Sequence, residues 1–163
     1  MSTKTATVTL AGGDMRFEAV TGSGHTVVMD NTVGATGAQP SELVGVALAG
    51  CTGMDVISIL RKKRQAVTGY EIRVSGEQME GHPNSFTRFE VTHVVTGDDI
   101  DVAAVGRAIE LSATKYCSVG STLASGALVM QHGYLVRTRG EELAAVVLSE
   151  GPHASPSEKG AGA

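Results

Sequence analysis

The chain has 163 residues, of which 42% are hydrophobic and 18% are charged, and its formal net charge at pH 7 is -4. This length fits one domain with room for a core, and the composition argues against a disordered chain. The chain has no Trp, only three Phe and three Tyr, and no basic stripe. It therefore lacks the stacking side chains and the positive surface that nucleic-acid binding requires, and we expect no nucleic-acid partner.

Three short strands are predicted first, because apolar alternating segments are separated there by glycine-bearing turns. They cover residues 6–10, 16–20 and 25–29. The N-terminus carries no basic segment followed by an apolar one. A secretory signal would show that pattern, so we expect a cytoplasmic protein.

A long helix is predicted from Pro40 to about Arg64. Pro40 suits a first helical turn, and the carboxylate of Glu42 suits the positive end of the helix dipole. Residues 43–60 carry a single charge, Asp55. A membrane span needs about 20 mostly apolar residues, and an acidic residue near its middle is costly. We therefore expect no membrane span, but a buried helix of a globular fold at a subunit interface.

The second half of the chain predicts two strands, a helix pair and a last strand. These elements are expected at residues 70–77, 87–95, 101–116, 118–123 and 127–137. The order of strands and helices indicates an α+β fold. Residues 1–148 are predicted to form a single domain. Residues 149–163 contain too little apolar surface to pack, so we expect a disordered tail there.

Two cysteines, Cys51 and Cys117, lie 66 residues apart, each in a helix-like apolar stretch. Free cysteines are usually buried and inert. A structural disulfide would need an oxidising compartment. We expect no metal site, since no C-x-x-C or H-x-x-H spacing occurs and the five histidines are scattered. An inert pair and a redox pair remain the two open interpretations.

The segments around both cysteines resemble the motifs of the OsmC/Ohr family of thiol-dependent hydroperoxide reductases. The matching segments are Pro40-x-Glu42-Leu43 with Cys51 eight residues later, and Tyr116-Cys117-Ser118. Further segments resemble the YhfA-like branch of the family more than Ohr itself. These are residues 24–30, 55–65, 82–83 and 107–112. The resemblance extends over about residues 7–137.

The resemblance implies an intertwined homodimer. Long cysteine-bearing helices lie at its centre, with the N-terminal strands, a second sheet segment and a helix pair around them. It also implies that the Cys51 thiolate attacks an organic hydroperoxide and that Cys117 resolves the resulting sulfenic acid. The apolar helix favours organic peroxides over hydrogen peroxide. No cofactor is implied. Electrons come from an external dithiol, which in the family is typically a lipoylated protein.

The resemblance also implies that an Arg of the N-terminal sheet stabilises the thiolate, steadied by a Glu near the start of the long helix. A charged thiolate on an apolar helix needs such a cation to offset its desolvation. Arg16 is the only Arg before the long helix. An exposed strand Arg without catalytic role is the alternative.

The Glu departs from the family pattern, because Ser41 follows Pro40 directly and the carboxylate comes one place later, at Glu42. Nine helical residues subtend about 900°, so Glu42 points away from Cys51 of its own chain. Glu42 either faces a site across a dimer interface or serves only the first helical turn.

Asp55 is a further complication, because it lies four residues after Cys51 and shares its helix face. A carboxylate there disfavours a thiolate unless it is itself paired, and His25 and His82 are candidate partners. The displaced Glu42 supports a second hypothesis of a different class. The chain would then be a non-enzymatic thiol redox sensor or an apolar-ligand-binding dimer of the same fold.

Overall fold

The computed structural model describes residues 2–125 and 129–150 of the chain. It contains two β-sheets and three α-helices, and the predicted α+β fold is confirmed. The chain divides into two compact units, residues 1–44 and 45–163. The single domain expected for residues 1–148 stays a prediction.

The first unit contains an antiparallel sheet in the order β1-β2-β3. Its strands are β1 (Ala6–Leu10), β2 (Phe17–Thr21) and β3 (Thr26–Met29). The β1–β2 turn contains Gly12 and Gly13, whose φ angles are 115° and 62°. Side-chain-bearing residues rarely adopt these angles, so this glycine pair is what lets the chain reverse. Arg16 lies in the turn rather than in the predicted strand.

The long helix α1 runs from Pro40 to Lys62, two residues short of the predicted end. It ends there because Arg64 adopts a left-handed conformation, with φ at 57°. The N–H of Gln65 donates to the carbonyl of Leu60 at 3.0 Å. Such bonds satisfy carbonyls that the helix end leaves free.

Among the described residues, α1 is the one helix long and apolar enough to cross a membrane. One of its stripes is nevertheless buried inside the second unit. It repeats every four residues, as the core face of a helix does, at Leu48, Thr52, Val56 and Leu60.

The second sheet has the order β4-β5-β6-β7. Its strands are β4 (Ala66–Gln78), β5 (Phe86–Asp98), β6 (Val129–Thr138) and β7 (Glu141–Glu150). β5 and β6 are parallel, and the other pairs are antiparallel. A parallel pair needs a crossover connection. Two helices supply it, α2 (Val102–Leu111) and α3 (Ser118–Ala124), joined by a single π-helical turn, Ser112–Tyr116.

The core of the second unit lies between α1, α2 and the strands β5 and β6. Its buried members include Val56, Leu60, Val95, Val105, Ile109 and Val136. Gly53 brings α1 close to β4, because an added Cβ would lie 2.5 Å from the Cδ1 atom of Ile72. This close approach fixes the position of the helix turn that carries Cys51.

Two predicted features of the C-terminal region need correction. The predicted helix 101–116 is α2 followed by the π turn, since Cys117 donates its N–H to the carbonyl five residues earlier. The predicted last strand, 127–137, is observed as β6, and residues 127 and 128 lie outside the described residues. It is not the last strand, because Arg139 and Gly140, both with positive φ, form a two-residue turn into β7.

β7 continues to Glu150, so the tail expected from residue 149 begins inside a strand. The rest of that expected tail, residues 151–163, lies outside the described residues.

Two buried histidines, His93 on β5 and His132 on β6, stack at a ring-centroid distance of 6.1 Å. His93 Nδ1 lies 2.7 Å from the hydroxyl of Tyr70. Among the described residues, His93 Nε2 and both ring nitrogens of His132 have no hydrogen-bond partner. Burial lowers the pKa of His93 to about 3 and the pKa of His132 to about 4. Both rings are therefore neutral in the folded protein at neutral pH.

We predict that the free energy of unfolding falls as the pH drops from 7 to 4. The unfolded chain binds protons at histidine below a pKa of about 6.5, while the folded chain does not. The expected loss is roughly 2–3 kcal/mol per buried histidine. Urea unfolding at several pH values measures it. His132→Leu should reduce the pH dependence, whereas His82→Gln, at an exposed position, should not. Equal slopes for wild type and His132→Leu between pH 7 and 4 would show that His132 is not buried neutral.

Candidate active site

The structure brings Cys51 and Cys117 together within the second unit. Their Sγ atoms and a carboxylate oxygen of Asp55 all lie within 4.8 Å of one another. Both thiols are free; Cys51 is half-buried and Cys117 is buried. The hydroxyl of Ser118 lies 4.0 Å from the Sγ of Cys51. The site therefore has one thiol that meets solvent and a second thiol behind it.

The π turn positions Cys117. The N–H of Cys117 donates to the carbonyl of Ser112 at 2.8 Å, closing a wider ring than an α-helix has. Cys117 is then extended, with φ at -71° and ψ at 100°, and α3 begins after it. Its Sγ accepts the N–H of Gly120 at 3.2 Å. This bond fixes the direction of the thiol and favours its ionised form.

A chain of hydrogen bonds connects α1 to the π turn. The hydroxyl of Ser112 donates to Asp55 Oδ2 at 3.0 Å. The hydroxyl of Thr52 lies 3.0 Å from the same Ser112 oxygen. Since Ser112 has one hydroxyl proton and gives it to Asp55, Thr52 must be the donor of the other bond. The side chains of Thr52 and Ser112 are fully buried, so breaking the chain would leave unpaired polar groups inside the protein.

The electrostatics of the site separate the two thiols. Burial, the largest cause, and the neighbouring Cys51 and Asp55 together raise the pKa of the Cys117 thiol to about 12, against the opposing effect of the Gly120 N–H. Cys117 therefore stays protonated at neutral pH in the reduced site. Two thiolates this close would repel each other, so ionisation of one thiol disfavours ionisation of the other.

A cavity of about 400 Å³ adjoins Cys117. Its lining includes the hydroxyls of Thr114, Ser121 and Ser125 and the side chain of Lys115. The Nζ atom of Lys115 lies 5.4 Å from the ring centroid of Tyr116. Lys115 is a cation that no sequence motif singled out.

The structure places Arg16 and Glu42 in the first unit. Arg16 forms an ion pair with Glu18 at 2.7 Å. The carboxylate of Glu42 accepts the N–H of Gln39 at 2.8 Å, and the N–H of Glu42 donates to the carbonyl of Gln39 at 3.0 Å. This reciprocal pair is a helix-capping arrangement. Among the described residues, no hydrogen bond or ion pair joins Arg16 to Glu42, and their activating role stays a prediction.

Asp55 is paired, but with a donor that the sequence did not predict. Its hydrogen-bond partner is Ser112, where His25 and His82 were the candidates. Ser112 is 57 residues from Asp55 along the chain. No local spacing signals this contact, because it depends on the π turn that carries Ser112.

Comparison with known proteins gives consistent matches. A family model described as OsmC-like protein matches residues 33–131. Protein YhfA of Escherichia coli (strain K12) is 41% identical over 122 residues, covering 75% of this chain and 90% of that protein. The crystal structure of a hypothetical protein from Aquifex aeolicus VF5 has a TM-score of 0.76 at 28% identity, covering 85% of this chain and 99% of that one.

The organic hydroperoxide resistance protein OhrB of Bacillus subtilis has a TM-score of 0.52 at 17% identity. The match covers 85% of this chain and 98% of that one. This likeness concerns the fold alone.

We predict that iodoacetamide at pH 8 alkylates Cys51 well before Cys117. Cys117 is only 4% exposed and its pKa is raised, so it offers little thiolate. Mass spectrometry of tryptic peptides during the reaction measures the order. In urea both cysteines should react at similar rates, which serves as the control. Asp55→Asn should speed labelling of Cys117 because it removes a negative charge that raises the Cys117 pKa. Labelling of Cys117 first would contradict this picture of the site.

Proposed function

The chain belongs to the OsmC-like family, and from this premise we propose that it is a thiol-dependent peroxidase that reduces organic hydroperoxides. Cys51 supplies the attacking thiolate and Cys117 resolves the product. Similarity in fold to organic hydroperoxide resistance proteins suggests a redox or stress-related role. The observation that carries the finer proposal is the meeting of two free thiols from distant parts of the chain within 4.8 Å.

The different environments of the two thiols support this division of roles. Cys51 is half-buried and can meet a substrate, while Cys117 is buried with a raised pKa. An attacking cysteine must be accessible and ionised, whereas a resolving cysteine must only reach the first sulfur. Cys51 also lies four residues from Asp55, whose charge Ser112 partly satisfies.

The proposed reaction has three balanced steps. The Cys51 thiolate attacks one oxygen of the peroxide, the O–O bond breaks, and the alkoxide leaves and takes a proton from solvent as the alcohol. Cys51 is thereby oxidised to the sulfenic acid. The Cys117 thiol then attacks the Cys51 sulfur, forming the disulfide and releasing water. An external dithiol, for which we propose a lipoylated protein, reduces the disulfide to two thiols and is itself oxidised.

The oxidation of Cys51 also changes the state of Cys117. In the reduced site, Cys51 raises the pKa of the Cys117 thiol. Once Cys51 carries a neutral sulfenic acid, its repulsion no longer opposes a thiolate at Cys117. The first step therefore favours the second. Because the cycle begins and ends with two free thiols, we propose the cytoplasm, a reducing compartment, as its location.

The cation that stabilises the Cys51 thiolate is a separate proposal. By resemblance it is Arg16, although Arg16 pairs with Glu18 and Glu42 caps its helix. Those contacts favour the second candidate function, a thiol redox sensor without efficient turnover. If the protein is a peroxidase activated by Arg16, Arg16→Ala should slow peroxide consumption. If the protein is a redox sensor, the same substitution should leave peroxide consumption unchanged.

We also propose that the protein is a homodimer. The exposed side of α1 carries Val46 and Met54, whose side chains are 63% and 75% exposed. Between them, an added Cβ at Gly50 would meet no atom within 4 Å. In the first unit, Val8 and Leu10 are also more than half exposed. Apolar side chains in such number favour burial against a second copy of the chain.

We predict unequal effects for the two cysteine replacements in reaction with cumene hydroperoxide. Cys51→Ser should abolish peroxide consumption, because the attacking sulfur is gone. Cys117→Ser should consume about one equivalent and then stop, because its sulfenic acid is not resolved. Stopped-flow measurement of peroxide loss tests both variants, and mass spectrometry should find a Cys51–Cys117 disulfide in oxidised wild type.

Thr114→Ser, in the cavity lining but without a thiol, is a matched control and should turn over like wild type. If Cys117→Ser is inactive and Cys51→Ser reacts once, the two roles are reversed. If wild-type Cys51 stays a free thiol after stoichiometric organic peroxide, the protein is not a peroxidase.

We predict that Met54→Lys shifts the protein from dimer to monomer, because it places a charge in the proposed interface. Multi-angle light scattering should show the mass of two chains for wild type and of one chain for the variant. Lys63→Met, at an exposed position beyond the end of α1, should leave the mass unchanged. A monomeric wild type in dilute buffer would refute the proposed dimer.

A further inference from the structure

The two thiols and the Asp55 carboxylate form a cluster with the composition of a metal site. We propose that Cys51, Asp55 and Cys117 bind a soft divalent cation, Zn²⁺ in the first place, when the cysteines are reduced. The sequence predicted no metal site because it lacks the short paired motifs of zinc proteins. Folding instead assembles the three ligands from positions 51, 55 and 117.

The three ligand atoms lie close enough together to reach one tetrahedral zinc ion. Zinc binds thiolate sulfur at about 2.3 Å and carboxylate oxygen at about 2.0–2.2 Å, so tetrahedral ligands lie roughly 3.6–3.8 Å apart. The three atoms here are within 4.8 Å of one another. Adjustments of about 1 Å or less, within reach of side-chain rotation, would bring them to bonding positions. Cys51 and Asp55, four residues apart on α1, already share a helix face.

The surroundings of these ligands are also those of a metal site. Ligands in metal sites are usually oriented by hydrogen bonds from an outer layer of residues. Ser112 donates to one carboxylate oxygen of Asp55 at 3.0 Å. The N–H of Gly120 donates to the Sγ of Cys117 at 3.2 Å. Three protein ligands leave a fourth position for water or a bound anion.

The charges of the cluster explain why a cation would bind and which kind. Two thiolates and a carboxylate at these distances repel one another, and a divalent cation converts that repulsion into attraction. Thiolate ligands select zinc over magnesium and calcium, which prefer oxygen. Binding would displace thiol protons. It would also occupy the Cys51 sulfur, so zinc would inhibit the proposed peroxidase; this last consequence alone rests on the proposed function.

The test is a titration of the reduced full-length protein with Zn²⁺ under anaerobic conditions, against a colorimetric chelator. Co²⁺ serves as a spectroscopic probe, since thiolate bonds to cobalt give a charge-transfer absorption. We expect one metal ion per chain, release of protons on binding, and no competition from millimolar Mg²⁺. Cys51→Ser and Cys117→Ser should each weaken zinc binding more than tenfold and reduce the cobalt absorption.

Three further variants distinguish binding at this site from binding to surface carboxylates. Asp55→Asn should weaken zinc binding about tenfold, and Ser112→Ala should weaken it roughly 10-fold or more through its hold on Asp55. Asp14→Asn, at an exposed carboxylate of the first unit, should have no effect. Failure of reduced wild type to bind zinc would overturn the proposal. So would unchanged binding in Asp55→Asn, or in the variant with both cysteines replaced.

The two proposals fail in different ways. Peroxide consumption is measured on zinc-free protein, and zinc affinity is measured without peroxide. Tight zinc binding by a protein that consumes no peroxide would refute the peroxidase and leave the metal site. Turnover of peroxide by a protein that binds no zinc would refute the metal site and leave the peroxidase.

Discussion

The hydrogen bonds from Thr52 through Ser112 to Asp55 are the contact on which the site depends. They join α1, which carries Cys51, to the π turn, which carries Cys117. Without them, the contacts described between the two cysteine segments would be the 4.0 Å approach of the Ser118 hydroxyl to the Cys51 Sγ and the apolar packing further along the helices. Because Thr52 and Ser112 are buried, this set of hydrogen bonds has one arrangement that satisfies all its polar atoms. That arrangement fixes the position of α1 relative to the π turn.

The same carboxylate has opposite effects on the two kinds of chemistry proposed for the site. The negative charge of Asp55 raises the pKa of Cys117 and so opposes a second thiolate. For a cation, the same charge is an attraction and a ligand. Asp55 therefore sets the balance between a site that reacts with peroxides and a site that holds a metal ion. Ser112 weakens both effects, because its hydrogen bond to Asp55 partly neutralises the negative charge of the carboxylate.

The sequence predicted those features that depend on neighbouring residues. The start of α1 at Pro40 was confirmed, and the motifs around Cys51 and Cys117 pointed to the family that the comparisons then showed. The resemblance also led us to expect the two thiols close together. The hydrogen bonds that hold the two cysteine segments together were not predictable. The partner of Asp55 depends on a π turn whose sequence, Ser112–Tyr116, reads as ordinary helix.

Strand β7 was not predicted, and the reason is a different one. Arg139 and Gly140 give a turn signal, but no strand was predicted after them, in a segment that begins with two glutamates. Strand β7 is an edge of its sheet, where charged residues are common and do not argue against a strand. The predicted second sheet was therefore one strand short.

The π turn also makes the site sensitive to the number of residues in the chain as well as to their identity. A π turn holds one more residue per hydrogen-bonded ring than an α-helix does. Removing any one residue between Ser112 and Tyr116 would allow an ordinary α-helix to form across this segment. Everything after it would then rotate by about 100° and shift by about 1.5 Å. Cys117 would leave its position beside Cys51, although every side chain of the site would still be present.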